Sequence, residues 1–273
     1  MKFANRFIPL FCATFVFVAG PTAAQETKSY EPYSGQPGKD VVWVPTPDAL
    51  VEKMLDMAAV TPQDFVMDLG SGDGRMVIAA AKRGVRALGV EYEEKMVELA
   101  RRRAAESGVG DRASFVQGDM FEADVSKASV LALFLLTENL DRLASKFLDM
   151  TPGSRIVLNH YLVTGWAPDH SENIPDCTMW CTAHLYIVPA KAEGTWKLGE
   201  ETLVLKQDFQ NVSGMLVRGE RALPVTGRLR GDRISFTADD TRYEGRVNGN
   251  EIVGEKVNAQ DGRWAAIRAR TAN

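Results

Sequence analysis

An α/β fold built on a parallel sheet, followed by a smaller antiparallel β-rich domain, is predicted by three observations. The apolar run Phe65, Val66, Met67 leads into DLGSGDGR, Asp68 to Arg75, and then into Met76 to Ala80, which reads as strand, tight glycine turn and helix start. Strand-like and helix-like stretches alternate from there to Asn159, the order that builds a parallel sheet with helices on its faces. From about Glu200 short alternating runs separated by glycine turns take over, as in a β-meander.

The bulk composition agrees with a folded enzyme or binding protein. At 273 residues, with 45% hydrophobic and 25% charged residues, the chain has room for one ordinary domain and something smaller. A formal charge of −4 gives no basic excess that would point to nucleic acid.

Residues 1–24 carry Lys2 and Arg6, the apolar run Phe7 to Val18, and the small-residue triplet Thr22, Ala23, Ala24. This order predicts a signal peptide cleaved after Ala24 and residence in the periplasm or outside the cell, with an uncleaved membrane anchor as the alternative. The run is shorter than the roughly 20 residues of a spanning helix, so no membrane span is expected in the mature chain. Cys12 lacks the small residue that precedes a lipid-modified cysteine. Residues 25–41 hold Pro32, Gly35, Pro37 and Gly38 and read as a flexible arm.

In VVWVPTPDALVEKMLDMA, Thr46 can cap a helix whose first position is Pro47, with Leu50, Val51, Met54 and Leu55 on one face. The glycine turn that follows the next strand fits a bound ligand, because glycine takes positive φ and lets a ligand approach the backbone, while a helix N-terminus offers unpaired N–H groups. A dinucleotide fingerprint needs its third glycine where Arg75 stands, and no Gly-Lys-Ser/Thr follows for a nucleotide triphosphate loop. A second strand, Ala87 to Val90, ends at Glu91, 19 positions beyond Gly72, where a carboxylate can accept both hydroxyls of an adenosine ribose. A helix from Glu93 to Glu106 follows, then a strand Ala113 to Gln117 that ends in Gly118, Asp119, Met120, Phe121.

The unbroken apolar run Val130 to Leu136 predicts a central strand buried on both faces. A helix to about Met150 and a strand Arg155 to Asn159 complete the sheet, and Thr182 to Val188 adds an edge. Glu138, Asn139 and His160 fall at the carboxyl ends of strands, where such folds bind ligands. Glu138 and His160 are therefore the candidate catalytic residues, each with a purely structural alternative. Trp166 to Trp180 reads as loop. Cys177 and Cys181 would lie roughly 13 Å apart on one extended strand, so a disulfide between them requires a turn. His184 alone nearby does not complete a metal site.

The run DLGSGDGR resembles motif I of class I S-adenosylmethionine-dependent methyltransferases, acid-x-Gly-x-Gly-x-Gly, with Asp68, Gly70, Gly72 and Gly74 in place. VPTP, GVE, GDMF and FLLTENL, with their spacing, narrow the likeness to the family of the mitochondrial ATP synthase c-subunit lysine methyltransferase and its prokaryotic relatives, over about Val42 to Leu198. The resemblance implies a Rossmann-like class I methyltransferase sheet with S-adenosyl-L-methionine as cofactor. It places Asp68 at the methionyl ammonium, Gly70, Ser71, Gly72 and Gly74 along the methionyl part, Glu91 at the ribose, and Asp119 and Met120 at the adenine. It also implies a protein lysine as acceptor. A small-molecule acceptor, or an exported binding protein without turnover, are the competing readings. The Asn/Asp-Pro-Pro-aromatic motif of amide and adenine methylation is absent after the fourth strand, and no Pro-Cys nucleophile for cytosine is present.

The expected domains are thus 1–24, 25–41, 42–198 and 200–273. In the last, Arg230-Gly231-Asp232, Asn248-Gly249-Asn250 and Asp261-Gly262 read as turns between strands, and a small curved sheet or partial barrel is expected.

Overall fold

The computed structural model describes residue 1 and residues 30–175, 177–257 and 262–269. The segment expected to be a signal peptide therefore lies, Met1 apart, outside the described residues, as does the first part of the expected arm. The fold belongs to the compact unit that starts at Glu31.

Helix α1 (Asp48–Met57) precedes β1 (Phe65–Leu69), α2 (Arg75–Lys82), β2 (Arg86–Glu91), α3 (Glu94–Glu106), β3 (Ala113–Gln117), β4 (Val130–Leu133), α4 (Thr137–Leu148) and β5 (Arg155–Asn159). Two further strands, β6 (His170–Asn173) and β7 (Thr182–Ile187), complete a seven-stranded sheet in the order β3-β2-β1-β4-β5-β7-β6. The first five strands run parallel, and β7 and β6 are antiparallel additions. Alternation along β1 sends Val66 to the layer of α1, α2 and α3, and Met67 and Leu69 to the layer of α4. The strand order reverses between β1 and β4, which opens a crevice beyond their carboxyl ends.

Local outcomes differ from expectation where long-range contacts decide. Pro47 is the N-cap of α1 and no side chain caps it; Thr46 is buried, and its hydroxyl accepts a hydrogen bond from Asn159 Nδ2 at 3.3 Å. β4 ends at Leu133, and Phe134 to Leu136 leave the sheet as a loop toward the crevice. The stretch read as loop contains β6, whose mostly exposed polar residues pair with β7 through backbone and polar side chains and so show no apolar alternation. Cys177 and Cys181 do pair, with Cα atoms 5.7 Å apart, and Trp180, at φ 54°, is part of the turn that allows it.

Beyond residue 193 the chain forms a closed antiparallel barrel of β8 (Gly194–Leu198), β9 (Glu201–Asp208), β10 (Asn211–Arg218), β11 (Arg221–Arg230), β12 (Arg233–Ala238), β13 (Thr241–Asn248), β14 (Glu251–Lys256) and β15 (Arg263–Arg268). The partial barrel is closed because β15 pairs with β8, a stave that lies inside the segment assigned to 42–198. Its interior is filled by side chains, with Trp196, Phe236, Tyr243 and Trp264 at its centre. Gly231 sits at φ 61° between β11 and β12, so the Arg-Gly-Asp sequence is a turn. Several contacts hold the barrel to the sheet domain, among them a ring stack, an ion pair and a side-chain hydrogen bond. Trp166 stacks on Phe209 at 5.2 Å, Arg228 pairs with Asp169 at 3.0 Å, and Gln210 Nε2 donates to the Ala167 carbonyl at 2.7 Å.

Candidate functional site

The glycine turn between β1 and α2 forms the floor of the crevice. Its amides are spent on the protein itself, contrary to the expectation of free N–H groups. Gly70 and Ser71 both donate to the Val90 carbonyl at 2.8 and 3.1 Å, Gly72 to a Glu91 carboxylate oxygen at 2.8 Å, and Gly74 to the Ser71 carbonyl at 2.9 Å. The glycines serve shape instead. Gly72 has φ 53°, and a Cβ there would stand 2.6 Å from Trp43 Nε1. A Cβ on Gly74, at φ 81°, would stand 2.8 Å from Ala100 Cβ and from the Phe115 ring. Ser71 directs its hydroxyl against β2, where a Cβ on Gly89 would lie 2.5 Å from it, and that buried oxygen has no hydrogen-bond partner.

Three carboxylates rise from successive strand ends. Asp68, at the end of β1, is buried and accepts no hydrogen bond from any described residue. Burial, then the nearby charges of Glu91 and Asp73, pushes its carboxyl well above the usual range. Glu91 accepts the Gly72 amide through one oxygen and the Glu93 amide, at 2.9 Å, through the other. Asp119 accepts the Phe121 amide at 2.9 Å and pairs with Lys39 at 2.5 Å, and that lysine is the main reason its carboxyl is held below the usual range.

Lys39 belongs to the segment expected to be a flexible arm. In its described part the arm folds back on itself: Gly35 N donates to the Trp43 carbonyl at 2.8 Å, and Trp43 N to the Gln36 carbonyl at 2.9 Å. Residues 36–44 thereby form a strap along one wall of the crevice, with Glu91, Tyr92, Asp119, Met120, Phe134 and Tyr161 among the residues that line the rest. A smaller hollow continues past Trp43, Val44 and Gly70 to Asp68, Thr46 and Arg75. The proline and glycine content of the strap makes turns.

Asp73 locks this arrangement from behind. Its side chain is 2% exposed and accepts both Arg75 (2.7 and 3.0 Å) and Arg103 (2.5 Å), which together hold its carboxyl below the usual range despite burial. Arg75 also donates to the Thr46 carbonyl at 2.9 Å, and Arg103 pairs with Glu31 at 2.7 Å. One buried carboxylate therefore fixes the glycine turn and the entry to α1, and through Arg103 reaches Glu31, ahead of the strap.

The two catalytic candidates fare differently from the cofactor residues. Glu138, in the first turn of α4, and His160, after β5, are both exposed, and neither lines the crevice. His160 is held by its backbone at φ 66°: its amide donates to the Thr182 carbonyl, and its carbonyl accepts His184 Nε2–H at 3.2 Å. His184 in turn accepts the Ser171 hydroxyl at Nδ1, and burial lowers its imidazole pKa. Among the described residues no group of three His, Cys, Asp or Glu could hold a metal ion.

The comparisons with known proteins agree with this geometry. Residues 68–170 match the ANTKMT methyltransferase domain. The chain is 39% identical over 151 residues to a protein-lysine N-methyltransferase of Saccharolobus islandicus, covering 54% of this chain and 94% of that one. The chain belongs to the family of ANTKMT methyltransferase domains. It is also 32% identical over 139 residues to the mouse ATP synthase c-subunit lysine N-methyltransferase, covering 50% of this chain and 56% of that one. Among solved structures it resembles an RNA methyltransferase of Salinibacter ruber in complex with S-adenosyl-L-homocysteine, at 39% identity and a TM-score of 0.51, covering 54% of this chain and 95% of that one. S-adenosylmethionine is the cofactor of this family, and the fit is visible here: a buried carboxylate without a donor is what an amino-acid ammonium requires. The barrel lies outside the matched residues 68–170.

The strap, Trp43, Tyr92 and the aromatic wall of Phe134, Tyr161 and Trp180 line the crevice in a way that the sequence alone does not announce. Phe134 is visible there only as the end of an apolar strand. The ring residues of the strap and of the loop after β6 carry no periodic signal.

Proposed function

We propose that the chain is a protein-lysine methyltransferase that works outside the cytosol, with the cofactor seated across β1, β2 and β3. The observation that carries the reading is Asp68, a buried carboxylate with no donor among the described residues, at the end of the hollow beside the glycine turn. When bound, S-adenosylmethionine supplies a methyl group already activated by its sulfonium charge, so the protein's contribution is alignment. Asp68 accepts the methionyl ammonium. Glu91 accepts the ribose hydroxyls with the lone pairs left by its two backbone donors, Asp119 accepts the adenine amino group, and Met120 packs on the ring. Gly70, Gly72 and Gly74 give the turn its shape, and Ser71 supports it from beneath.

The lysine acceptor is supported by relatives whose names specify protein lysines. A lysine must lose a proton before it attacks, and the apolar side chains of Leu135 and Leu136, which line the crevice, favour the neutral amine by removing its water. Glu138 and His160 are given no part in that step. The extracellular or periplasmic site is supported by the basic, apolar and small-residue order of residues 1–24 and by the Cys177–Cys181 pair, which suits an oxidising compartment.

Radiolabelled methyl transfer to an envelope extract of a deletion strain tests the activity, with total RNA as a parallel acceptor. Label recovered as methyl-lysine is the expected result; label confined to RNA or to small molecules would overturn the lysine reading. N-terminal sequencing tests the location, with Gln25 expected as the first residue; Met1 on a soluble cytosolic chain would defeat it.

A further inference from the structure

We propose that Phe134, Tyr161 and Trp180 form a port that grips the acceptor's cationic head by its ring faces, and that the Cys177–Cys181 disulfide holds Trp180 in that port. This rests on the lysine reading and specifies how the site receives its acceptor. The three rings line the same crevice as Glu91 and Asp119. Phe134 stands 6.1 Å from Tyr161 at 20° between ring planes, and 5.9 Å from Trp180 at 61°. All three are half-buried, so they are neither core nor free surface.

Their position in the crevice distinguishes them from the aromatic rings of the cores. Lys39 lies over Tyr92, Arg142 over Phe121, Lys256 over Tyr243 and Arg268 over Trp196. Among the described residues no lysine or arginine lies over Phe134, Tyr161 or Trp180, and the His160 ring meets Tyr161 edge-on at 5.0 Å. Ring faces gathered in a cleft attract an ammonium, and a methylated one especially, because its charge is spread over apolar methyl groups. An acceptor that gains methyl groups in successive rounds is held by such walls at every stage.

Trp180 reaches the port only in a costly backbone state. Its φ of 54° is unusual for a side chain of this size. The loop that carries it is closed at its base twice, by the Cys177–Cys181 bond and by Ile174 N donating to the Cys181 carbonyl at 3.0 Å, where β6 and β7 meet. Without the disulfide, residues 177–180 lose the covalent tie that opposes relaxation of Trp180. The pair acts on the acceptor through Trp180 and touches neither Asp68 nor Glu91, so cofactor binding is independent of it.

The test uses the full protein loaded with S-adenosyl-L-homocysteine. Two probes are titrated by NMR: the N-acetyl methyl ester of trimethyl-lysine, and its neutral isostere with carbon in place of the quaternary nitrogen. The cation is expected to bind about fivefold or more tightly than the isostere. Trp180→Ala is expected to abolish the preference and Trp180→Phe to retain most of it. The double variant Cys177→Ser/Cys181→Ser is expected to weaken the cation about threefold or more, with calorimetric affinity for S-adenosyl-L-homocysteine unchanged. Reduction of the wild-type protein with dithiothreitol gives the same reading if a variant fails to fold. Equal binding of the two probes, or a wild-type preference in the disulfide-free protein, overturns the proposal. The probes bind without turnover, so absence of methyl-lysine in the transfer assay would defeat the lysine reading alone, and methyl-lysine formation without probe preference would defeat the port alone.

Discussion

Lys39 Nζ stands 2.5 Å from Asp119 Oδ2 and 4.3 Å from the centre of the Tyr92 ring, so a residue 80 positions upstream in sequence closes the crevice beside Asp119. The pair couples the strap to the tip of β3. Its partners are partly exposed, which limits its strength. Lys39→Ala is therefore expected to speed dissociation of S-adenosyl-L-homocysteine roughly two- to fivefold, with little change in association. Stopped-flow tryptophan fluorescence reads both rates, and unchanged dissociation would mean that the strap does not retain the cofactor.

Asp68 makes cofactor affinity depend on pH. Its carboxyl is raised in the free protein, chiefly by burial and then by Glu91 and Asp73. An ammonium partner requires the ionised form, so binding lowers that value and releases a proton. Affinity for S-adenosyl-L-homocysteine should rise with pH up to the raised value of Asp68 and then level off. Calorimetry in buffers of different ionisation heat measures the proton released; none released on the acid side of that rise would contradict this assignment.

The same shift has an opposite sign for stability. A carboxyl raised above its unfolded value of 3.8 favours the fold most below that pH, and the advantage is lost as pH rises through the folded value. Asp68→Asn removes this cost, so the free variant should melt higher than wild type at neutral pH. It should also bind S-adenosyl-L-homocysteine about 10- to 100-fold more weakly, the loss expected of a charge-assisted hydrogen bond. Thermal melts paired with calorimetry check both, and a variant that melts lower in the free state would refute the assigned cost.

Asp73 behaves in the reverse way. Its carboxyl is depressed by Arg75 and Arg103, so its contribution is present above the unfolded value of 3.8 and is lost as pH falls through the folded value. Asp73→Asn leaves two arginines without their shared partner. Because Arg75 and Arg103 are about a third exposed, the cost should fall at the lower end for a broken buried pair, about 3 kcal/mol. Urea unfolding at neutral pH measures it, and the difference from wild type should shrink toward acid.

The parallel sheet was legible because its signals are local. Val66, Met67 and the four residues of β4 are apolar, the glycines sit at one turn, and Glu91 and Asp119 each stand at or just beyond a strand end. The strap was not legible, because what orders it lies far along the chain: Trp43 rests on Gly72, and Lys39 on Asp119. The same holds for Thr46, whose partners are Asn159 and Arg75 rather than its own helix. Barrel closure depends on pairing Ile267 with Lys197 and Arg268 with Trp196, two pairs that no local turn announces. Glu138 and His160 stand at the carboxyl edge of the sheet, as the sequence order implies, but edge position alone does not direct a side chain into the crevice.

Barrel and sheet should unfold together, since a buried ring stack, a partly buried ion pair and a side-chain hydrogen bond join them. Trp166, 2% exposed, is stacked on Phe209 and meets Tyr186 edge-on at 5.1 Å. Burial raises the Tyr186 phenol to about 12, so this packing stays neutral through the physiological range. Asp169, 6% exposed at its side chain, takes Arg228 from the barrel on one oxygen and the Ile187 amide of β7 on the other. Scanning calorimetry of the wild-type protein is expected to show one transition. Trp166→Ala opens a cavity between the two parts at a cost of about 4 kcal/mol, and it should split the transition in two, the barrel surviving to the higher temperature because its own ladder is closed. Two transitions in the wild type, or a single unshifted one in the variant, would show that the stack does not couple them.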